Sequence, residues 1–565
     1  MMKYINKIIL LLSLVLLFAS CGESFLDTEN VMEKSTENFP KTEQDAQQAL
    51  TGVYSGLAKT AGGIDRQSLF MVSELMSDDR LGGGGTDDRY AQAVDRFLVT
   101  NNDMFSGAWA AYYKAIYRAN SLLETIDLVP WTENNMAVKN KILGETYFLR
   151  AYFYFDLVRM FGSVPLLTST EKVNKPKTAA NEIYAQIAED LQRAINMLPE
   201  QSFQEMPESD LGRATKWTAQ ALVAKVFLFY TGYYKTDALP TNGDKISKQQ
   251  VIQWIDECIS RSGHGLITSD FRNLWPYSYC SEGGFYSKYP VSQGLKWIRE
   301  TGDNIETVFA VKYSIYGGWS GAEHYSNIMI QFFGLRNAAN WKTCLPFAIG
   351  WGWGNVNPKL MAEWPNDDPR KEASVVDCAR EINGFVWNVA QNMDETGYIQ
   401  KKYIPLNVLD KDGNICPYSM ELYGMAQKDR QLQHTQDMVI IRFADVLLMA
   451  AELGSSKAQE YMDRVRGRVG LASVPATLEN IKKERRYELA FEGVRYYDIL
   501  RWHDQDVLTA NQTDIPVKDV GVDYKRNIVF RTETGGFLQI PQTQIDLSEG
   551  VLTQNPGWES GQHLY

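Results

Sequence analysis

The sequence predicts a mainly α fold: a tetratricopeptide-like helix-pair scaffold carrying a long irregular, loop-rich capping subdomain. Three observations point there. Apolar residues recur at helical spacing through long segments near both ends of the chain, with little strand-like alternation. These segments fall into pairs joined by short connections, the pattern of stacked helical hairpins. Between residues 262 and 436 the periodicity gives way to Gly, Pro, Trp, Tyr and Asn, and half of the 14 tryptophans lie between Trp275 and Trp364. The 565 residues are 44% hydrophobic and 22% charged, with mean hydropathy −0.31, which excludes wholesale disorder, collagen-like repeats and a multi-span membrane protein. A net charge of −12 offers no field for a phosphate backbone, so nucleic acid is not an expected partner.

Taken in order, residues 1–20 read as a lipoprotein signal peptide. Lys3 and Lys7 flank the start of an apolar run, Ile8 to Ala19, interrupted only by Ser13 and shorter than the about 20 residues that span a bilayer. Phe18-Ala19-Ser20-Cys21-Gly22 resembles a bacterial lipobox, which makes Cys21 the acylated first residue of the mature chain and 21–40 a lipidated tether. No later segment holds 18 consecutive apolar residues, so the expected attachment is an anchor rather than a span. The N-terminal part of the scaffold occupies 41–261. Its first helix places Ala46, Leu50, Val53, Tyr54 and Leu57 on one face, and further helices are expected over 105–128, 135–161, 177–198 and 215–230. The run Leu81-Gly82-Gly83-Gly84-Gly85 predicts a flexible loop with no regular structure. Tyr147 to Phe161 is apolar almost all round, which puts that helix at the centre and leaves Arg150, Asp156 and Arg159 needing buried partners. The aromatic-rich insertion spans 262–436. The C-terminal part, 437–565, begins with helices over 440–453, 456–468, 477–491 and 495–504 and ends in a tail.

Catalytic and metal-binding signatures are sparse. None of the five histidines, at 264, 324, 434, 503 and 563, lies in an H-E-x-x-H motif, and neither a catalytic residue nor a metal or other cofactor is expected. Gly318-Trp319-Ser320-Gly321-Ala322 lacks the last glycine of a nucleophile elbow. Asp410 to Asn414 misplaces the glycine of a calcium loop and reads as a turn. The adjacent pairs Asp78-Asp79, Asp87-Asp88 and Asp367-Asp368 do not supply two carboxyl groups facing each other across a sugar. After Cys21, the cysteines at 258, 280, 344, 378 and 416 are odd in number and show no C-x-x-C, which disfavours a disulfide scaffold and a zinc ribbon. Glu484, Glu488 and Glu492 recur four apart and would repel without cations between them, so they predict a structural ion-pair network with Arg485, Arg495 and Arg501 as partners.

The motifs together resemble the SusD/RagB family of nutrient-binding outer-membrane lipoproteins. The resemblance rests on Cys21 with Phe25-Leu26-Asp27, on Phe148 to Gly162 with Val164-Pro165-Leu166, and on Ala219 to Val226. It continues through Ile441 to Glu452, Val465 to Leu471, Glu484 to Gly493, Arg495 to Trp502 and Gln554 to Trp558, and so covers essentially the whole mature chain. It implies a non-enzymatic, cell-surface glycan-binding lipoprotein, lipid-anchored in the outer membrane, that delivers oligosaccharide to a SusC-like TonB-dependent transporter. A peptide ligand, a surface glycosidase, and a structural tether for the transporter without its own ligand site are the alternatives.

The quoted motifs belong to the scaffold, so ligand residues are argued from composition. Sugars present apolar C–H faces and polar edges, which flat aromatic rings with polar neighbours match. The candidates are Trp275, Tyr277, Tyr279, Trp319, Tyr325, Trp341, Trp351 and Trp353, with Asp79, Arg80, Asp87, Arg89 and Tyr90 as a polar wall.

Overall fold

Amphipathic faces and capped ends set the scaffold. The computed structural model describes residues 39–62, 67–279, 290–299, 301–319, 323–336, 345–382, 384–385, 391–424, 429–559 and 563–565. The long helices of the first half are Glu43–Gly62, Ser106–Thr125, Met136–Phe161, Ala180–Met197, Lys216–Tyr233 and Lys248–Arg261. Thr215 and Ser247 cap the last two, their hydroxyl oxygens accepting the backbone N–H of Thr218 and of Gln250. Each of these helices packs on the next. The chain returns as Phe443–Glu452, Ala458–Arg468, Leu478–Glu488 and Arg495–Trp502, the first and last of which pack on Lys216–Tyr233. The result is the mainly α, tetratricopeptide-like scaffold expected; Lys248–Arg261 is an additional helix that the sequence reading did not single out.

The central helix is Met136–Phe161, and every residue from Phe148 to Phe161 is buried. Its charges are paired, as that burial requires. The Arg150 guanidinium donates to both Asp190 oxygens at 2.7 and 2.8 Å, and Arg159 donates to Asp156, which also accepts from the Tyr112 hydroxyl.

Three local expectations are corrected. Arg80–Gly83 is a buried strand, not a flexible loop, and pairs antiparallel with Trp353–Val356. Glycine permits that approach: a Cβ on Gly83 would lie 2.4 Å from the Gly352 carbonyl oxygen. Residues 440–442 belong to the strand Met438–Arg442, antiparallel to Thr307–Val311, so the helix starts at Phe443. The helix expected to reach 491 ends at Glu488, and Phe491 adopts a positive φ of 65°. The remaining pairs within 262–436 are short: Val375–Asp377 with Tyr398–Gln400, and Asn407–Leu409 with Ile415–Pro417. Asp410 heads a turn, as expected, its carboxylate accepting the N–H groups of Asp412 and Asn414.

A closed ion network joins this irregular region to the scaffold. Five cations (Arg370, Lys402, Arg442, Arg466, Arg468) meet five carboxylates (Glu306, Asp368, Glu484, Glu488, Glu492). The structural role expected for the glutamates therefore stands, but their partners differ from those read in the sequence. Arg485 pairs with Asp445 and Asp498, Arg501 with Glu452 and Asp498, and Arg495 with Asp78. The reason is helical geometry: Arg485 follows Glu484 directly and so points to a different side of the helix. Distant parts of the chain are also tied. Asp79 accepts from Arg486 and Asp78 from Arg495, and the Tyr565 backbone N–H donates to the Val99 carbonyl.

Candidate ligand-binding surface

Beyond the strand Thr307–Val311 the described residues 314–319 and 323–325 form a loop whose ends meet where the Ser314 N–H donates to the Tyr325 carbonyl at 2.8 Å. Three rings of this loop face solvent: Tyr316 is 76% exposed, Tyr325 47% and Trp319 43%. They are held from below. A Cβ on Gly317 would lie 2.8 Å from Ser326 Cβ and 3.0 Å from the Leu432 carbonyl oxygen, so glycine lets the backbone at 317 approach the 429–436 segment closely. Asn327 and Ser326 donate to the His434 carbonyl, and Asn327 Nδ2 to that of Gln436. The Trp319 indole Nε1–H donates to Asp429 Oδ2 at 2.5 Å, and Asp429 Oδ1 accepts the Gln431 N–H. The His324 ring packs 4.3 Å from that of Tyr325. Exposed aromatic faces beside a fixed carboxylate, an imidazole and phenol hydroxyls can stack on apolar faces of a ligand and hydrogen-bond its polar edges.

A second set of candidates is half-buried nearby. Trp351 packs at 4.9 Å on Phe332, and its backbone N–H donates to the Gln331 carbonyl. Gln331 Oε1 contacts His434 Nε2 at 3.2 Å, which links Trp351 to the exposed loop through one histidine. Burial pushes the His434 imidazole down to about 3, against the pull of Asp429, so the ring is neutral. The Trp351 carbonyl accepts from Arg336, which also donates to Asp88 at 2.7 Å. Asp87, its side chain 90% exposed, stands 3.9 Å from the same guanidinium.

Other predicted residues serve packing. Trp353 is buried with Tyr90 stacked at 5.9 Å and Phe332 at 4.8 Å, so partners occupy its ring. Trp275 is buried against Phe271 and Tyr403, with the Lys402 ammonium 5.0 Å above its ring. The Tyr277 hydroxyl donates to the Ala373 carbonyl and that of Tyr279 to Glu421. Asp79 is buried against Arg486, while Arg80 is buried with Glu74, donates to the Gly354 carbonyl and lies over the Phe333 ring at 4.0 Å. These six residues offer a ligand no accessible face, and Tyr90 is half-covered by Trp353. Arg89 is exposed and donates to the Tyr565 carbonyl. Of the predicted polar wall, Asp87 and Arg89 keep exposed side chains, and Asp88 and Arg336, which were not among its residues, stand beside Asp87. Cys21 and Trp341 lie outside the described residues.

The sequence reading missed Tyr316, Asp429 and Arg336. Tyr316-Gly317-Gly318-Trp319 carried a signal, two aromatics across a glycine turn, whereas Asp429 lies 110 residues from its indole partner and has no local signal. Among the described residues no cluster of His, Cys, Asp and Glu is suited to hold a metal ion, and no helix is long and apolar enough to cross a membrane.

Two family models match the chain: the SusD family over residues 356–558, and one described as starch-binding associating with outer membrane over 24–228. A SusD-like protein P2 of Formosa agariphila is 27% identical over 99% of this chain and 100% of its own length. A SusD-like protein of Bacteroides ovatus is 22% identical over 88% of this chain and 82% of its own. Among solved structures, a laminarin-binding SusD-like protein superimposes with a TM-score of 0.68 at 26% identity, covering 92% of this chain and 100% of that one. Surface glycan-binding protein A from Bacteroides thetaiotaomicron, in complex with laminarihexaose, gives 0.70 at 20% identity, over 91% and 100%.

Proposed function

Since the chain belongs to the SusD/RagB family, we propose that it is a cell-surface glycan-binding lipoprotein that captures oligosaccharide and passes it to a SusC-like TonB-dependent transporter. In this reading Cys21 carries the lipid anchor in the outer membrane, residues 41–261 and 437–565 form the scaffold, and 262–436 hold the ligand. The exposed rings of Tyr316, Trp319 and Tyr325, with Trp319 pinned by Asp429, are the observation that carries it. Stacking on pyranose C–H faces needs rings that are both open and already oriented, because an ordered side chain loses little freedom on binding. One structural neighbour is laminarin-binding and another is in complex with laminarihexaose, which makes laminarihexaose the first probe. Calorimetry of residues 22–565 against a panel of oligosaccharides and peptides tests the reading. An oligosaccharide should bind and peptides should not; peptide binding without oligosaccharide binding overturns it.

A further inference from the structure

A cleft of about 610 Å³ lies at the seam between the irregular region and the scaffold, and none of its lining residues belongs to the aromatic loop. That volume is within the range of small-molecule sites. Its lining is built from ion pairs that hold one another. Arg272 grips Asp270 through two hydrogen bonds of 2.9 and 3.0 Å, and Arg380 donates to Glu372 at 2.6 Å. Lys401, only 4% exposed, donates to Glu381 at 2.6 Å and to the Glu372 carbonyl at 2.7 Å. Arg380 holds the Glu372 carboxyl below its usual range by a hydrogen bond, with Lys401 and Arg272 adding to the pull, so the pairs share one field. Arg468, also in the lining, is neutralised by Glu306 and Glu488 behind it.

The other charges of the lining balance, three cations against three carboxylates. An ionic ligand of either sign would meet like charges, and desolvating them without a partner is costly. An uncharged polyhydroxyl ligand meets none, because each hydroxyl can donate to a carboxylate and accept from a guanidinium held in place by its neighbour. We propose that this cleft is a second carbohydrate site, separate from the aromatic loop, that takes a neutral sugar unit.

The choice of a sugar rests on the glycan-binding reading, and the test separates the two. Binding of glucose and of laminarihexaose is measured by saturation-transfer NMR and calorimetry on the parent, on Trp319→Ala, on Glu372→Ala/Arg380→Ala and on Ser269→Trp. The double variant removes an exposed pair without changing net charge, and Ser269→Trp fills the cleft from its exposed rim while leaving the ion pairs intact. Glucose should still bind Trp319→Ala. In the double variant and in Ser269→Trp it should weaken at least about tenfold, since hydrogen bonds to charged groups are lost or blocked. Abolition of all sugar binding by Trp319→Ala, or unchanged glucose binding in both cleft variants, overturns the second site while leaving the first intact. Glucuronate or a dipeptide held in the cleft in preference to glucose also overturns it. No sugar binding by the parent removes both readings.

Discussion

Replacing Glu488 with Ala removes the carboxylate at the centre of the ion network. Its Oε1 accepts from Arg442 at 2.5 Å and from Arg468, and its Oε2 from Arg370 at 3.0 Å, and none of these four side chains is more than 3% exposed. Burial opposes ionisation of Glu488, but Arg468, Arg442 and Arg370 outweigh it and hold the carboxyl well below its usual range. The network is balanced, so the substitution leaves one uncompensated positive charge away from water. Breaking a buried pair in this way costs about 3–5 kcal/mol. Unfolding entropy of roughly 2 cal/mol/K per residue amounts to on the order of 1 kcal/mol per degree for a chain of this length, so Tm should fall by about 3–5 °C. Scanning calorimetry reads that shift. The Glu488→Ala/Arg468→Ala double variant restores the balance, and should be destabilised by about 1–3 kcal/mol less than the sum of its single variants. Unchanged melting of Glu488→Ala, strictly additive losses in the double variant, or lost ligand affinity with melting intact would each contradict a structural role for this carboxylate.

Trp319→Ala should weaken the best oligosaccharide of the panel by about 2 kcal/mol, roughly thirtyfold, with melting unchanged, whereas Trp353→Ala should cost about 3–5 kcal/mol of stability; calorimetry and melting on each variant check both. Equal affinity of parent and Trp319→Ala removes that ring from the site. Cys21→Ala should fold normally yet leave the membrane fraction, and its retention there in cells lacking the transporter would contradict the anchor. His434 is held neutral down to about 3 by burial, far below its ordinary 6.5, so its contribution is complete above pH 6.5 and is lost as pH falls towards the folded value. Between pH 7 and 5 the parent should therefore lose about 2 kcal/mol more stability than His434→Gln in denaturant titrations, and parallel pH profiles would count against it.

The scaffold was legible because its signal is local. Ala46, Leu50, Val53 and Leu57 mark a buried face within four turns, and all four are buried in Glu43–Gly62. The errors arose where a partner far along the chain decides the outcome. Ile440 and Ile441 continue an apolar run into the helix at Phe443, yet pairing with Thr307–Val311 makes them strand. The glycines after Leu81 suggest looseness until Trp353–Val356 comes alongside. The same limit governs the site. Composition reveals where aromatic rings concentrate, but Trp275, Trp319 and Trp353 look alike in sequence and only tertiary packing decides which of them meets solvent.

The ties between Asp78 and Arg495, Asp79 and Arg486, and Val99 and Tyr565 bear on the order of assembly as the chain folds. Helical hairpins such as Ser106–Thr125 with Met136–Phe161 contact near neighbours and can form as the chain emerges. The segment from Asp78 to Gly83 cannot finish until residues 353–356, 486–495 and Asn511 have arrived, because its carboxylates and strand edge find partners there. Until its final sixth has joined the rest, the chain therefore stays partly open, with Asp78 and Asp79 hydrated and the Arg80–Gly83 edge unpaired. Late substitutions such as Arg486→Ala should therefore prolong that open state as well as lower stability.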